Sequence, residues 1–442
     1  MPYIYFIPEI CVTLLQFDST QFFCFMKIKI ILTLTICNLS IFGFGKTYQT
    51  EVFSSQLKSL QVRNTSDWNS PPVIMLNADD YIEIKFDELS HSYKDYYYSL
   101  IHCNADWTPS DISSFEYMSG FDENPVDDYV TSFNTQVDYT NYRITIPNDL
   151  VQLKISGNYV LSVFQRDDRK VVLTACFSVL EESLSVGCSV RFNTDIDNHK
   201  KHQQLKVAVN YPNYTVQNPT RELKIYVIQN NRTDNQVVLS NPHSITPQGI
   251  IYDFNRSLIF PGGNEFRRFE CVNFLYNGMG VEQVDYFDPY THVTLYADRL
   301  RTANYSYDQD QNGQYMIRTS QNRDSDSEGE YMFVHFSLPW EDPLIPGRIY
   351  LNGELTNYSF NEESKMEYDF ERKAFVKTLL LKQGSYNYQY LFVPSNTKKG
   401  ETALIEGDFY ETENEYRILV YHRPLGGRYD KLVGINAIYS KQ

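Results

Sequence analysis

Tyr81-Ile82-Glu83-Ile84-Lys85-Phe86 alternates apolar and polar side chains, a period of two that fits a strand with one buried face and not an amphipathic helix. Similar runs follow at residues 96–103, 142–146, 159–164 and 171–179, parted by turn signals such as Ser156-Gly157-Asn158, and no long helical period interrupts them. Closely spaced short strands of this kind predict a β-sandwich. The pattern then recurs. A middle unit is expected from residues 186–192, 204–209, 222–229, 236–239, 250–254 and 293–296. A third is expected from residues 330–338, where Met332, Val334, Phe336 and Leu338 share one face, and from 348–351, 366–370, 374–381, 386–392 and 415–421. The fold class expected is therefore all-β, built of tandem β-sandwich domains over residues 46–183, 184–328 and 329–442. A chain of 442 residues has the length for three such cores.

Ahead of the first sandwich, Met26-Lys27-Ile28-Lys29 is a short basic region, residues 30–42 are apolar, and Gly43-Phe44-Gly45 places small residues where a signal peptidase cuts. Residues 26–45 are thus expected to be a signal peptide, with residues 1–25 an upstream extension from a misplaced start codon. The apolar stretch is shorter than the roughly 20 residues that a spanning helix needs. Three of the 7 cysteines lie in this leader region. The other four, Cys103, Cys176, Cys188 and Cys271, allow three pairings. An oxidising compartment permits disulfides, and four buried free thiols fit the sequence equally well.

One stretch concentrates constraint and charge. In residues 260–271, Pro261-Gly262-Gly263 forces a sharp turn, and Asn264, Glu265, Arg267, Arg268 and Glu270 then interleave with Phe266 and Phe269. Ions this close to large rings are partly desolvated and paired, which suits a joint between domains or a docking surface. Arg423-Pro424-Leu425-Gly426-Gly427-Arg428-Tyr429-Asp430 repeats the combination near the C-terminus. The candidate interface or inter-domain residues are therefore Asn264, Glu265, Phe266, Arg267, Arg268, Phe269, Arg423, Arg428, Tyr429 and Asp430. His102-Cys103-Asn104-Ala105-Asp106-Trp107 reads as a hydrogen-bonded corner beside a buried Trp107.

Catalytic and cofactor signatures are missing. There is no GxSxG elbow, P-loop, GxGxxG or HExxH. Ser55-Gln56-Leu57-Lys58 lacks the companion motifs of an SxxK enzyme, and His199-Lys200-Lys201-His202 sets two imidazoles beside two cations that would repel a metal. Asp308-Gln309-Asp310-Gln311-Asn312-Gly313 matches the first half of a calcium loop, but Thr319 stands where the bidentate Glu belongs, so a hairpin over residues 305–318 is expected there. A net charge of −16 argues against a nucleic-acid partner. A non-enzymatic binding or structural role without a cofactor is expected.

Five strings in order carry a resemblance: His102-Cys103-Asn104-Ala105-Asp106-Trp107; Ser156-Gly157-Asn158-Tyr159; Gly262-Gly263-Asn264-Glu265-Phe266-Arg267; Lys382-Gln383-Gly384 with Tyr386-Asn387-Tyr388-Gln389-Tyr390; and Glu411-Thr412-Glu413-Asn414-Glu415-Tyr416. From about Val52 to the C-terminus the chain resembles the type IX secretion system plug protein family of Bacteroidota. The resemblance implies a periplasmic protein that docks on the periplasmic opening of the outer-membrane translocon barrel and closes it, meeting the membrane only through that partner. The third unit also looks like the early-set immunoglobulin-like domains that bind glycogen or starch, through Gly347-Arg348-Ile349-Tyr350-Leu351-Asn352-Gly353. That implies a rival role as a periplasmic glycan-binding protein, although Tyr358 occupies the region of the stacking Trp and Trp340 is the unit's sole tryptophan.

Overall fold

The computed structural model describes residues 46–320 and 324–440; the leader expected at residues 1–45 lies outside the described residues. In the first sandwich, strands Leu57–Asn64, Ile82–Glu88, Thr140–Ile146 and Asp128–Thr131 form one sheet, facing Tyr96–Cys103, Gly157–Gln165 and Val171–Leu180 of a second. The alternation read from the sequence sets the faces: Ile82, Ile84 and Phe86 are fully buried while Glu83 and Lys85 point away. Each such side chain contributes about 1.5–3 kcal/mol by leaving water.

The middle sandwich faces Ser185–Arg191, His202–Asn210, Gly249–Tyr252 and Ile259–Pro261 against Leu223–Gln229, Arg232–Val238, Glu415–His422 and Lys431–Tyr439. The third packs Arg267–Cys271, Tyr315–Ile317, Gly347–Asn352 and Gly384–Pro394 on Val281–Phe287, Tyr290–Leu295, Tyr331–Pro339, Ala374–Lys382 and Glu367–Asp369. The all-β, multi-sandwich expectation holds.

Strand membership departs from the sequence reading at both ends of the third unit. Its first strand is Arg267–Cys271, and Tyr290–Leu295, expected in the middle unit, lies in its sheet. Glu415–His422 and Lys431–Tyr439 leave it and return to the middle sandwich, where Glu415–His422 pairs on one side with Leu223–Gln229. A period of two announces a strand but says nothing of its partner 190 or so residues away, and Glu415–His422, buried at all eight positions, has no polar face to betray its sheet. Through the parallel contact Leu180↔Leu432, the returning strands also join the first and middle sandwiches in one 10-stranded sheet.

The hairpin expected over residues 305–318 does not form. Asn312 and Gly313 do turn with φ of +49° and +86°, but the chain from 297 to 314 runs as an irregular strap, and only Tyr315–Ile317 becomes a strand, paired with Gly384–Pro394. All four described cysteines are free thiols, Cys103 and Cys271 fully buried. The described residues from 47 to 440 make one compact body.

Candidate functional site

Nine of the twelve largest fully buried side chains among the described residues are tyrosines. A buried phenol needs a partner for its hydroxyl, and three of these, Tyr139, Tyr331 and Tyr421, find it across a boundary between sandwiches, on the Gly329 carbonyl, Asp87 and Asn158. The joints between sandwiches are therefore polar as well as apolar.

The middle–third joint is the 260–271 stretch. Ile259–Pro261 belongs to the middle sandwich and Arg267–Cys271 to the third. Between them the backbone passes so close to the loop at Phe409 that a Cβ on Gly262 would stand 2.0 Å from the Phe409 carbonyl oxygen. The Asn264 amide donates to the Glu406 carbonyl at 2.8 Å. Arg267 is buried, its Nε donating to Glu406 Oε1 at 3.0 Å and its Nη1 to Asp298 Oδ1 at 2.8 Å, with its guanidinium 5.3 Å from the centre of the Tyr390 ring. Arg301 Nε donates to Glu406 Oε2 at 2.8 Å, and the Tyr388 and Tyr390 hydroxyls donate to Asp298 Oδ2 at 2.9 and 2.7 Å. Burial alone would raise the Glu406 carboxyl; Arg267 and Arg301 hold it below its usual range. Glu265 has no such cation. Burial pushes it up to about 7, against the Tyr305 hydroxyl and the Glu413 amide, which donate to its Oε1 at 2.5 and 3.1 Å. Phe269 stacks on Tyr386 with centroids 5.0 Å apart, and Phe266 is buried. Arg268, nearer the surface, pairs with Asp308 of the strap. The half calcium loop is thereby engaged, with Asp310 accepting from the backbone amides of Phe266 and Asn312.

The 423–430 turn makes the first–middle joint. Asp430 is fully buried and accepts from the Ala105 amide at 2.9 Å, from Lys224 Nζ at 2.9 Å and from Arg423 Nε at 2.8 Å. Arg423 Nη2 reaches Asn104 Oδ1 at 2.6 Å, Tyr429 meets the His102 ring edge-on at 5.3 Å, and Arg428 pairs with Glu116. The Asn104 corner is thus hydrogen-bonded as expected, but Trp107 beside it is only half-buried, held at φ +62°. Burial lowers His102 to about 4, so its imidazole is neutral and structural, bonded to Ser110 and the Ser156 carbonyl.

A third joint, between the first and third sandwiches, had no sequence counterpart. Lys382 and Asp87, 1% and 0% exposed, form an ion pair at 2.8 Å. The Tyr331 hydroxyl and the Asn141 amide also donate to Asp87, each at 2.7 Å, and Lys382 Nζ lies 4.0 Å above the Tyr139 ring. Around them Lys85 and Arg143 pair with Asp326, Arg63 with Glu354, and Glu330 accepts the Val137 amide. Lys382 figured in the sequence only in the Lys382-Gln383-Gly384 string, just past the strand expected at residues 374–381, and Asp87 lies 295 residues before it.

Residues 57–181 match the family model described as "Type 9 secretion system plug protein 1st domain". The chain belongs to the type IX secretion system plug protein family. A crystal structure of a hypothetical protein from Parabacteroides merdae ATCC 43184 is 47% identical, covers 89% of this chain and 100% of its own, and superposes with a TM-score of 0.88. The C-terminal domain of a Streptococcus agalactiae AgI/II polypeptide aligns at 5% identity with a TM-score of 0.16, which carries no argument. No curated protein matches. Among the described residues of this plug-family chain no helix is long and apolar enough to cross a membrane. The rings that the glycan-binding alternative would use are engaged: the Tyr358 hydroxyl donates to the Asn312 carbonyl, and Trp340 packs edge-on against Phe375.

Proposed function

We propose that this plug-family chain is the periplasmic subunit that binds the periplasmic opening of the type IX outer-membrane translocon barrel and closes it when no cargo passes, without catalysing a reaction. The observation that carries the reading is the joining of three sandwiches into one body: first to third through the buried Lys382–Asp87 ion pair, first to middle through buried Asp430 accepting the Ala105 amide, and middle to third through the 262–266 crossing held against the loop at 406–414. A cover over a wide pore has to resist bending, and desolvated charge pairs have narrow geometric tolerance, unlike an apolar contact that can slide. Family membership supplies the link to the secretion system.

The test is affinity purification of tagged residues 46–442 from detergent-solubilised membranes of the native host, with mass spectrometry of what co-elutes. Recovery of a very large outer-membrane barrel, together with increased outer-membrane permeability in cells lacking the chain, is the expected result. A clean monomer and an unchanged permeability barrier would refute the proposal.

A further inference from the structure

The strand Val281–Phe287 ends its sheet: Tyr290–Leu295 pairs along one side, and among the described residues no strand pairs along the other. Beside this edge, between the third sandwich and the loop around Asn134 of the first, lies a cleft of about 490 Å³. Its apolar lining comes from Val272, Phe274, Leu275, Val284 and Tyr286, and its polar lining includes Asn134, Gln136, Gln383, Asp285, Glu328 and Glu330. Leu275 is 85% exposed and Tyr286 54%, a large apolar surface to leave in water. Thr319, also lining the cleft, has a buried hydroxyl with no hydrogen-bond partner among the described residues.

The charged side chains that line the cleft are all acidic, Asp285, Glu328 and Glu330, and no lysine or arginine lines it among the described residues. An anionic ligand is repelled by this rim, and a wholly apolar one would desolvate the carboxylates without return. A second copy of the chain is disfavoured for the same reason, because edge-to-edge pairing would set Glu282 and Asp285 against their own kind. An extended backbone can use the open edge, apolar side chains can cover Leu275 and Tyr286, and cationic ones can meet the rim.

We propose that this cleft and the Val281–Phe287 edge dock an extended segment of a partner chain in which apolar and cationic side chains alternate. The site does not depend on the closing of the translocon, since a partner of this chemistry is recognised by the groove itself. The test is fluorescence anisotropy with the chain 46–442 and two dye-labelled peptides of about eight residues, one alternating lysine with valine and the other glutamate with valine. The lysine peptide should bind at least about tenfold more tightly, a difference of about 1.4 kcal/mol, and more weakly as salt rises. Two double variants, Leu275→Ser with Tyr286→Ser and Asp285→Lys with Glu328→Lys, should each weaken binding about tenfold or more with the circular dichroism unchanged. Equal binding of the two peptides, no binding of the lysine peptide at about 1 mM, or full affinity in folded double variants would overturn the proposal. The last outcome would assign any binding to the overall negative charge.

Discussion

Replacing Lys382 by alanine should be among the most damaging single changes in the first–third joint. Its ammonium donates to Asp87 and to the Asp326 carbonyl, both at 2.8 Å, and faces the Tyr139 ring. The alanine variant leaves the Asp87 carboxylate fully buried with its cation gone. Removing one partner of a buried pair costs about 3–5 kcal/mol. Two neutral donors, Tyr331 and Asn141, still hold Asp87, which places the expectation near about 3 kcal/mol, toward the lower end of that range. The loss of the cation–π contact adds to the cost within it. The assay is urea unfolding followed by circular dichroism, read as a shift in midpoint at constant slope. The double variant Lys382→Met with Asp87→Leu removes both charges, so it should recover most of the loss. Lys382→Ala within about 1 kcal/mol of the parent, or a double variant worse than the single one, would refute the view that an uncompensated charge is what destabilises this joint.

Two further changes probe the middle–third joint. Glu406→Gln keeps the volume but leaves Arg267 and Arg301 without their shared carboxylate, and a loss of about 3 kcal/mol in urea unfolding at neutral pH is expected. Because the folded-state Glu406 carboxyl is held below its ordinary value, its contribution is complete above the unfolded value of 4.5 and is lost as pH falls through the folded one; the variant should therefore show a flatter acid limb below pH 4.5. Glu265 behaves in the opposite sense. Raised to about 7 in the fold from 4.5, it favours the folded state fully below pH 4.5, and that advantage, on the order of 3 kcal/mol, disappears as pH rises through 7. Glu265→Gln should flatten the pH dependence of stability between 4.5 and 8; an unchanged profile would show that Glu265 is not buried as a neutral acid.

The legible part of this fold was its local part. Alternation in residues 81–86 and 331–338 set strand and face correctly, whereas Pro261-Gly262-Gly263, expected to turn sharply, proved to be an irregular crossing between two sandwiches without a turn, with Gly263 at φ +62°. The density of ions and rings in residues 264–269 and 423–430 likewise reflected desolvated pairing, since a buried charge requires a partner and leaves a trace of that need in its neighbours. What stayed hidden was pairing at long range. Lys382 stood out only within the Lys382-Gln383-Gly384 string and Asp87 only as the residue after an alternating run, and neither position points to a partner 295 residues away. The abundance of tyrosine was also open to two readings. Loops that present rings to a partner and cores that bury rings while satisfying their hydroxyls have the same composition, and here Tyr331, Tyr390 and Tyr416 take the second course.

That distribution bears on how such a body can meet a partner. Arg267, Glu406, Asp430, Lys382 and Asp87 are turned inward and paired, so they set the angles between sandwiches and leave little for a surface outside. Recognition falls instead to side chains that the fold leaves uncovered, such as Leu275 and Tyr286 beside an open strand edge, and to the acidic charge around them. The two sets are separable by experiment because they fail differently. A joint variant such as Glu406→Gln lowers stability and weakens every docking surface together, through the geometry they share. A groove variant such as Tyr286→Ser leaves the unfolding midpoint where it was and removes one contact alone. A variant of Tyr286 that destabilised the body as much as one of Glu406 would mean that the groove is itself structural, and the division of labour drawn between buried joints and open edge would not stand.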